Sequence, residues 1–349
     1  MRHYLLLSRI IFTFLFFALD IFAQTSPDTL ITITAVGDVM LGSTFPRGSM
    51  LSPNDSLMLR EVTPILAAAD LAFGNLEGPL IDGGTSTKCG PKSTNCYAFR
   101  MPTRYAQLLR NAGFDLLSIA NNHAMDFGLE GRRSTMQALD RVGIKFSGVV
   151  GDIANVNVKQ KNVALIAFSY DDDSYNLNKL AESKRVIEAL ARKHDIVIVS
   201  FHGGAEGASK QHVPHGHEFF LGEDRGDLRT FTHAAIDAGA DLILGHGPHV
   251  VRGMEMYKDR LIAYSLGNFA TYGRFTLTGP NGISLILEVH LNSEGKFLSG
   301  KIHPIHQDDL GPHHDSLKTV LPILRQLSLE DFGADGIDVD AEGRLIRRE

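Results

Sequence analysis

The chain has 349 residues, of which 44% are hydrophobic and 21% charged, enough for one large or two small domains with a full apolar core. Its formal charge is −6 and it has no basic run, so nucleic acid is excluded as an expected partner.

In chain order, the first residues read as a secretion signal. Arg2 and Arg9 give a positive start, residues 10–19 form an apolar stretch interrupted only by Thr13, and Ile21-Phe22-Ala23 offers a cleavage site before Gln24. The stretch is too short to span ~30 Å of hydrocarbon as a helix. An uncleaved anchor that borrows Leu5 to Leu7 is the other reading, and Asp20 argues against it. On the first reading residues 1–23 are a signal peptide and the protein is exported, to the periplasm, the medium or the outer face of the membrane.

Cys89 and Cys96 lie in a Gly/Ser/Thr/Lys-rich stretch. In an exported protein such a close pair in a loop reads as a disulfide. A metal site would need further thiol or imidazole ligands nearby, and the segment has none.

From there a small unit recurs: a helical pattern, an apolar strand, then a polar turn. Residues 103–112, 131–142, 180–193 and 228–238 read as helices, followed by strands at 114–120, 144–147, 196–201 and 242–244. Gly113, Gly143 and Gly239 supply left-handed caps, and short apolar runs suit buried strands. This alternation predicts an α/β arrangement with helices outside the sheet. The C-terminal third changes character. Residues 251–257 and 261–266 flank Lys258-Asp259-Arg260, and residues 283–291 and 297–305 flank Asn292-Ser293-Glu294-Gly295, as two hairpins would. A mixed sheet, or a second sheet packed on the first, is expected. Residues 317–327 are apolar at helical spacing, and 306–349 reads as an appendage to a domain over 31–305.

Chemistry concentrates where strands end. Residues 31–36 lead into Gly37-Asp38, 71–73 into Gly74-Asn75-Leu76-Glu77, and 116–120 into Asn121-Asn122-His123; 196–201 lead into His202-Gly203-Gly204, and 242–244 into Gly245-His246-Gly247-Pro248-His249. Open α/β sheets bind ligands outside such ends. A single Asp or Asn there is more often a turn former or helix cap, and a single His a hydrogen-bonded loop residue. Five together predict one shared site. Mixed oxygen and nitrogen donors without thiolate suit one or two divalent ions of Mn, Zn, Fe or Mg.

In combination, Gly37-Asp38-Val39-Met40-Leu41, Asn75-Leu76-Glu77-Gly78-Pro79, Asn121-Asn122-His123 with Asp126 and Gly128, His202-Gly203-Gly204 with Glu206, Gly245-His246-Gly247-Pro248-His249 and Ser265-Leu266-Gly267-Asn268-Phe269 are specific. Over about residues 31 to 305 the chain resembles the capsule-synthesis CapA family, the poly-γ-glutamate capsule proteins of the calcineurin-like metallophosphatase superfamily. The resemblance implies a four-layer α/β/β/α sandwich with mixed sheets. It implies Asp38 as the first metal ligand, Glu77 as the bridging carboxylate, and Asn122, His202, His246 and His249 as further ligands. His123 would protonate the leaving group, with Asp126 accepting its other ring proton.

Three departures from the superfamily pattern stand out. Met40 replaces the histidine of Asp-x-His, and a thioether is a poor ligand for such ions. Glu77 is one methylene longer than the usual aspartate. The last histidines are three apart rather than two, which favours His249 over His246.

Glu206, Arg252 and Asn268 are candidate substrate residues, Arg252 because guanidinium suits an anion. Arg252 in a surface ion pair and Asn268 in a turn are the plain alternatives. His212, His215 and His217 read as an exposed loop. The resemblance points to a metal-dependent hydrolase acting on an anionic cell-surface polymer or phosphoester, in association with membrane-bound capsule-synthesis machinery. The same pocket would also serve a non-catalytic polymer-binding protein or a secreted phosphoesterase, since fold alone does not set activity.

Overall fold

The computed structural model describes residues 30–45, 50–89, 96–273 and 275–348. The signal peptide expected at 1–23 lies outside them.

Two sheets face each other. Strands β1 (Ile31–Met40), β2 (Leu71–Leu76), β3 (Leu116–Ser118) and β4 (Lys145–Ser147) run parallel. Strands β5 (Ala154–Val158), β6 (Lys161–Ser169), β7 (Ile196–His202), β8 (Leu242–His246), β9 (Met254–Tyr257) and β10 (Arg260–Ala263) form the second sheet, in the order β9-β10-β8-β7-β6-β5. The chain then returns to the first sheet through β11 (Asn268–Thr271), β12 (Ile283–Leu291), β13 (Phe297–Asp308) and β14 (Gly311–His314). The first sheet reads β14-β13-β12-β1-β2-β3-β4, with β11 parallel to the end of β1. Both sheets are mixed, and both hairpins expected from the sequence are present as antiparallel pairs.

Side-chain alternation explains the layers. Ile31, Ile33, Leu71, Phe73, Ile196, Ile198, Leu242 and Leu244 fill the space between the sheets. Their neighbours Ala72, Leu117, Val197, Val199 and Ile243 point the other way, into two outer cores. Strands buried on both faces must be apolar at every position, so they appear as continuous runs. Helices α1 (Tyr105–Asn111) and α2 (Gly128–Val142) contribute to the first outer core, α3 (Leu180–Ala191) and α4 (Leu228–Asp237) to the second. The result is the four-layer α/β/β/α sandwich. Helix α2 ends at Gly143 in the left-handed conformation, as a glycine cap requires.

The segment after residue 305 is more than an appendage. Strand β13 runs on to Asp308, β14 pairs with it, and helix α5 (Val320–Phe332) packs on the sheets. Val320, Leu321, Leu324, Ile337, Val339 and Leu345 belong to the core between the sheets. Their spacing reveals a helix in sequence, but nothing local reveals the surface it covers.

Candidate metal centre

The five polar strand ends come from both sheets: β1, β2 and β3 from one, β7 and β8 from the other. Asp38 leads the first group. The register of β1 against its neighbours shifts around this residue, a bulge of the kind that re-aims a side chain at a site. The backbone here is tightly packed: Asp38 N–H donates to Gly267 O at 2.9 Å. A Cβ on Gly37 would stand 1.9 Å from that same oxygen, so only glycine fits. Gly37→Ala is therefore expected to destabilise the fold by about 3 kcal/mol, read as a lower midpoint in urea.

Asp38 is fully buried. His249 Nδ1 lies 2.9 Å from its Oδ2 and His246 Nδ1 3.4 Å from its Oδ1, while Asn75 Nδ2 donates to Oδ1 at 2.9 Å. His249 Nε2 reaches toward Glu77 Oε1 at 3.6 Å and Glu206 Oε2 at 3.8 Å. Asp38, Glu77 and His249 each offer a donor atom within 4.8 Å of the others, the one such group of His, Cys, Asp and Glu among the described residues. His249 adopts φ 59°, an uncommon conformation for a residue with a side chain and one that clusters at functional positions.

Electrostatics match this crowding. Burial pushes the Asp38 carboxyl upward, but the hydrogen bond from His249 and the closeness of both His246 and His249 outweigh it and hold the group well below the usual carboxylate range. Burial drives Glu77 well above its ordinary value, with Asp38 and Glu206 adding to the rise. Burial opposes a proton on His249, yet Glu77, Asp38 and Glu206 together raise it to about 10. Burial takes His202 well below its ordinary value.

Buried polar atoms are normally paired. Here both oxygens of Glu77, both nitrogens of His202 and of His246, and Oδ1 of Asn122 and of Asn268 are buried without a hydrogen-bond partner. Such atoms cost free energy unless something accepts their lone pairs. The donor set, carboxylate, carboxamide and imidazole without thiolate, fits a divalent ion. His202 and His246 are register partners on adjacent strands, outside the tight Asp38, Glu77 and His249 group. Met40 is buried in the outer core, and His249 occupies the second oxygen of Asp38.

His123 is also buried, and its Nδ1 sits 2.8 Å from Asp126 Oδ2. Asp126 accepts Phe99 N–H through the same oxygen at 2.7 Å, and Lys88 Nζ through Oδ1 at 2.5 Å. Asp126 can only accept, so Nδ1 carries the proton and Nε2 is left for a ligand. Two adjoining cavities of about 230 and 390 Å³ share His123, Tyr97, Glu206 and Phe220. His249 and Asn268 line the first, Asn122, Lys88 and Tyr170 the second. They form one open groove over the donors.

Glu206 and Asn268 thus lie at the groove, whereas Arg252 does not. Arg252 is fully buried, with both Nη atoms on Glu218 at 2.8 Å, Nη2 on Ala205 O at 3.2 Å and Nε on Lys210 O at 2.7 Å. A guanidinium already satisfied by a buried carboxylate has no donors for a substrate anion. It supports the loop that follows His202. Arg252→Ala would strand Glu218 as an unpaired buried charge, and a loss of about 3 kcal/mol is expected in chemical denaturation. His212 and His217 hold Asp331 and Asp224 at the surface.

Asn75 and Asn121 stand in the strand-end motifs, but the sequence assigns neither a role of its own. Asn121 Nδ2 donates to Asn75 Oδ1 at 3.0 Å, and Asn121 Oδ1 accepts His123 N–H at 3.1 Å. This amide chain ties Asp38 to His123 across three strand ends. The sign available beforehand was a carboxamide at each end of otherwise apolar strands.

A two-sheet α/β/β/α sandwich with nitrogen and oxygen donors converging at its strand ends defines a metallophosphatase-like protein. Within that class the chain belongs to the bacterial capsule synthesis protein PGA_cap family, whose model matches residues 32–272. It is 29% identical to the PGA biosynthesis protein CapA of Bacillus subtilis, over 92% of this chain and 86% of that protein. It is 29% identical to the capsule biosynthesis protein CapA of Bacillus anthracis, over 76% of this chain and 65% of that protein. Among solved structures, a putative 5'-nucleotidase from Staphylococcus aureus is similar at 13% identity and TM-score 0.46, over 86% of this chain and 58% of that one. Cys89 and Cys96 are joined by a disulfide, with Cα atoms 5.6 Å apart. Among the described residues no helix is long and apolar enough to cross a membrane.

Proposed function

We propose that this chain is an exported protein of capsule or poly-γ-glutamate synthesis and works as a metal-dependent hydrolase on an anionic cell-surface polymer or phosphoester. The observation that carries the reading is the set of buried, unpartnered donors on Glu77, Asn122, His202 and His246 around Asp38 and His249, in a groove that also exposes His123.

Asp38, Glu77, Asn122, His202, His246 and His249 would hold one or two divalent ions, of Mn, Zn, Fe or Mg. When bound, such an ion would polarise a phosphoryl or carbonyl oxygen and make water at the site more acidic. The chain's own residues do the rest. His123, oriented by Asp126 through Nδ1–H, presents Nε2 to the leaving group, and the doubly protonated ring would give up its Nε2 proton there. Asn75 and Asn121 keep Asp38 and His123 in fixed relation. Tyr97, Phe99, Phe220 and Phe275 wall the groove and limit water around the reacting bond. Arg225 anchors Glu206 at 2.9 Å beside His249.

A second reading, polymer binding without turnover, draws on the aromatic wall of the groove at Tyr97, Tyr170 and Phe220. The test is to purify residues 24–349, measure bound metal, and assay poly-γ-glutamate and a phosphoester panel with and without chelator. Chelator-sensitive cleavage supports the hydrolase. Tight polymer binding with no turnover under any metal replaces it with the second reading, and rapid phosphate release from small monoesters alone makes the chain a general phosphoesterase.

A further inference from the structure

The disulfide Cys89–Cys96 stands next to both residues that grip Asp126. Lys88 immediately precedes Cys89, and Phe99 follows Cys96 by three residues. Lys88 Nζ donates to Asp126 Oδ1 at 2.5 Å and to Asn122 O at 2.7 Å, and lies 3.3 Å from His123 Nδ1. Phe99 N–H donates to the other oxygen, Asp126 Oδ2, at 2.7 Å. The Phe99 ring also packs on His123, with centroids 4.4 Å apart, and on Phe275 at 5.4 Å. Two chain segments joined by one covalent link therefore approach the His123–Asp126 pair from two sides.

We infer that Lys88 and the Cys89–Cys96 bond together act as a positioning device that holds Asp126, and through it His123, in the orientation that presents Nε2 to the groove. The inference rests on His123 as the proton donor of the proposed hydrolase.

The physical case lies in competition for Asp126. A buried carboxylate with only His123 and Phe99 N–H as partners would leave Oδ1 without a donor, and burying a lone pair on a charged oxygen is costly. Lys88 supplies that donor. Its side chain is 31% exposed, so it must give up much of its hydration to stay there. A four-carbon ammonium side chain loses considerable rotamer freedom when pinned in one geometry. Fixing its backbone to Cys96, and so to the Phe99 strand of chain, lowers that ordering cost. Reduction by dithiothreitol forms two cysteine thiols and the cyclic disulfide of the reagent. The side-chain cross-link between residues 89 and 96 is then lost, and no metal donor takes part in the exchange.

The experiment compares wild type with Lys88→Ala, Lys88→Arg and the Cys89→Ser/Cys96→Ser pair in the metal-loaded full chain. Supporting residues of this kind are worth about 10-fold to 100-fold. Lys88→Ala is expected to lower kcat about tenfold with KM within about twofold and metal content unchanged, and Lys88→Arg to restore part of the loss. Dithiothreitol should lower wild-type kcat and leave the serine pair unaffected. An activity-free readout keeps the inference separate from the hydrolase reading: the ring ¹⁵N signals of His123, identified by their loss in His123→Gln. Wild type should show the Nδ1–H form, and both Lys88→Ala and the serine pair should show mixed tautomers. Absent turnover in wild type would overturn the proposed function while the nitrogen signals still decide this inference. Unchanged ring signals in both variants would overturn it, whatever the activity.

Discussion

Replacing His123 by alanine is expected to lower kcat by about 10²-fold to 10⁴-fold, the range that a general acid contributes, without loss of bound metal. His123 is not among the buried unpartnered donors; its Nδ1 is taken by Asp126 and its ring packs at a tilt against Phe99. Its removal should leave Asp38, Glu77 and His249 in place. Asp126 keeps Lys88 Nζ and Phe99 N–H, so no buried charge loses all its partners. The folding cost should stay near about 1 kcal/mol, the worth of one hydrogen bond. Steady-state kinetics with metal analysis of the same preparation checks the prediction. A variant with wild-type kcat would remove His123 from the chemistry, and one without metal would make it a ligand instead.

Glu77→Gln should have the opposite profile. Glu77 is fully buried and neither oxygen has a hydrogen-bond partner; His249 Nε2 stands 3.6 Å from Oε1, so the carboxylate serves that imidazole and whatever binds beside it. Losing the carboxylate forfeits several kcal/mol of charge stabilisation, which corresponds to about 10³-fold in kcat/KM. Metal content should fall with it. The metal-free protein should nevertheless become more stable. Burial raises the folded-state pKa of Glu77 well above its ordinary 4.5, so as pH rises the unfolded chain gives up this proton first. Below that window the group costs nothing; through it and above, metal-free stability falls. A neutral glutamine escapes this penalty. Metal-free Glu77→Gln should melt above metal-free wild type at neutral pH, while wild type with metal at 100 times its Kd gains about 2.7 kcal/mol and overtakes it. His249 adds a linked signature. Because surrounding carboxylates raise it to about 10, the metal-free site holds a proton near neutral pH that an ion must displace. Calorimetry in buffers of different ionisation enthalpy should register its release and tighter binding as pH rises. A metal-free Glu77→Gln that melts below wild type would refute the stability argument.

Much of the architecture could be read locally. Helices α1 to α4 and strands β2, β7 and β8 appear in sequence with ends displaced by a few residues, because apolar period and glycine caps are properties of short segments. The polar ends of β1, β2, β3, β7 and β8 were visible for the same reason. A polar residue closing an apolar strand stands out without any knowledge of its neighbours.

Contacts between distant segments were not legible. In sequence Arg252 reads as an anion-binding group or as half of a surface ion pair; Glu218, 34 positions away, holds it in the interior instead. Asn75 and Asn121 carry no motif that names them as supports; their role exists only once three strands lie side by side. Helix α5 was recognisable, but not the gap between sheets that it fills. Lys88 is an unremarkable lysine in a polar stretch, and acquires meaning only when Asp126 is found beside it. By itself the sequence determined which segments are helix or strand and which residue types crowd the strand ends, since both follow from near-neighbour chemistry. Only the tertiary structure decided which of those groups share a cavity and which are consumed by other partners. Distance in space, which sets electrostatic strength and hydrogen-bond competition, is not a function of distance along the chain.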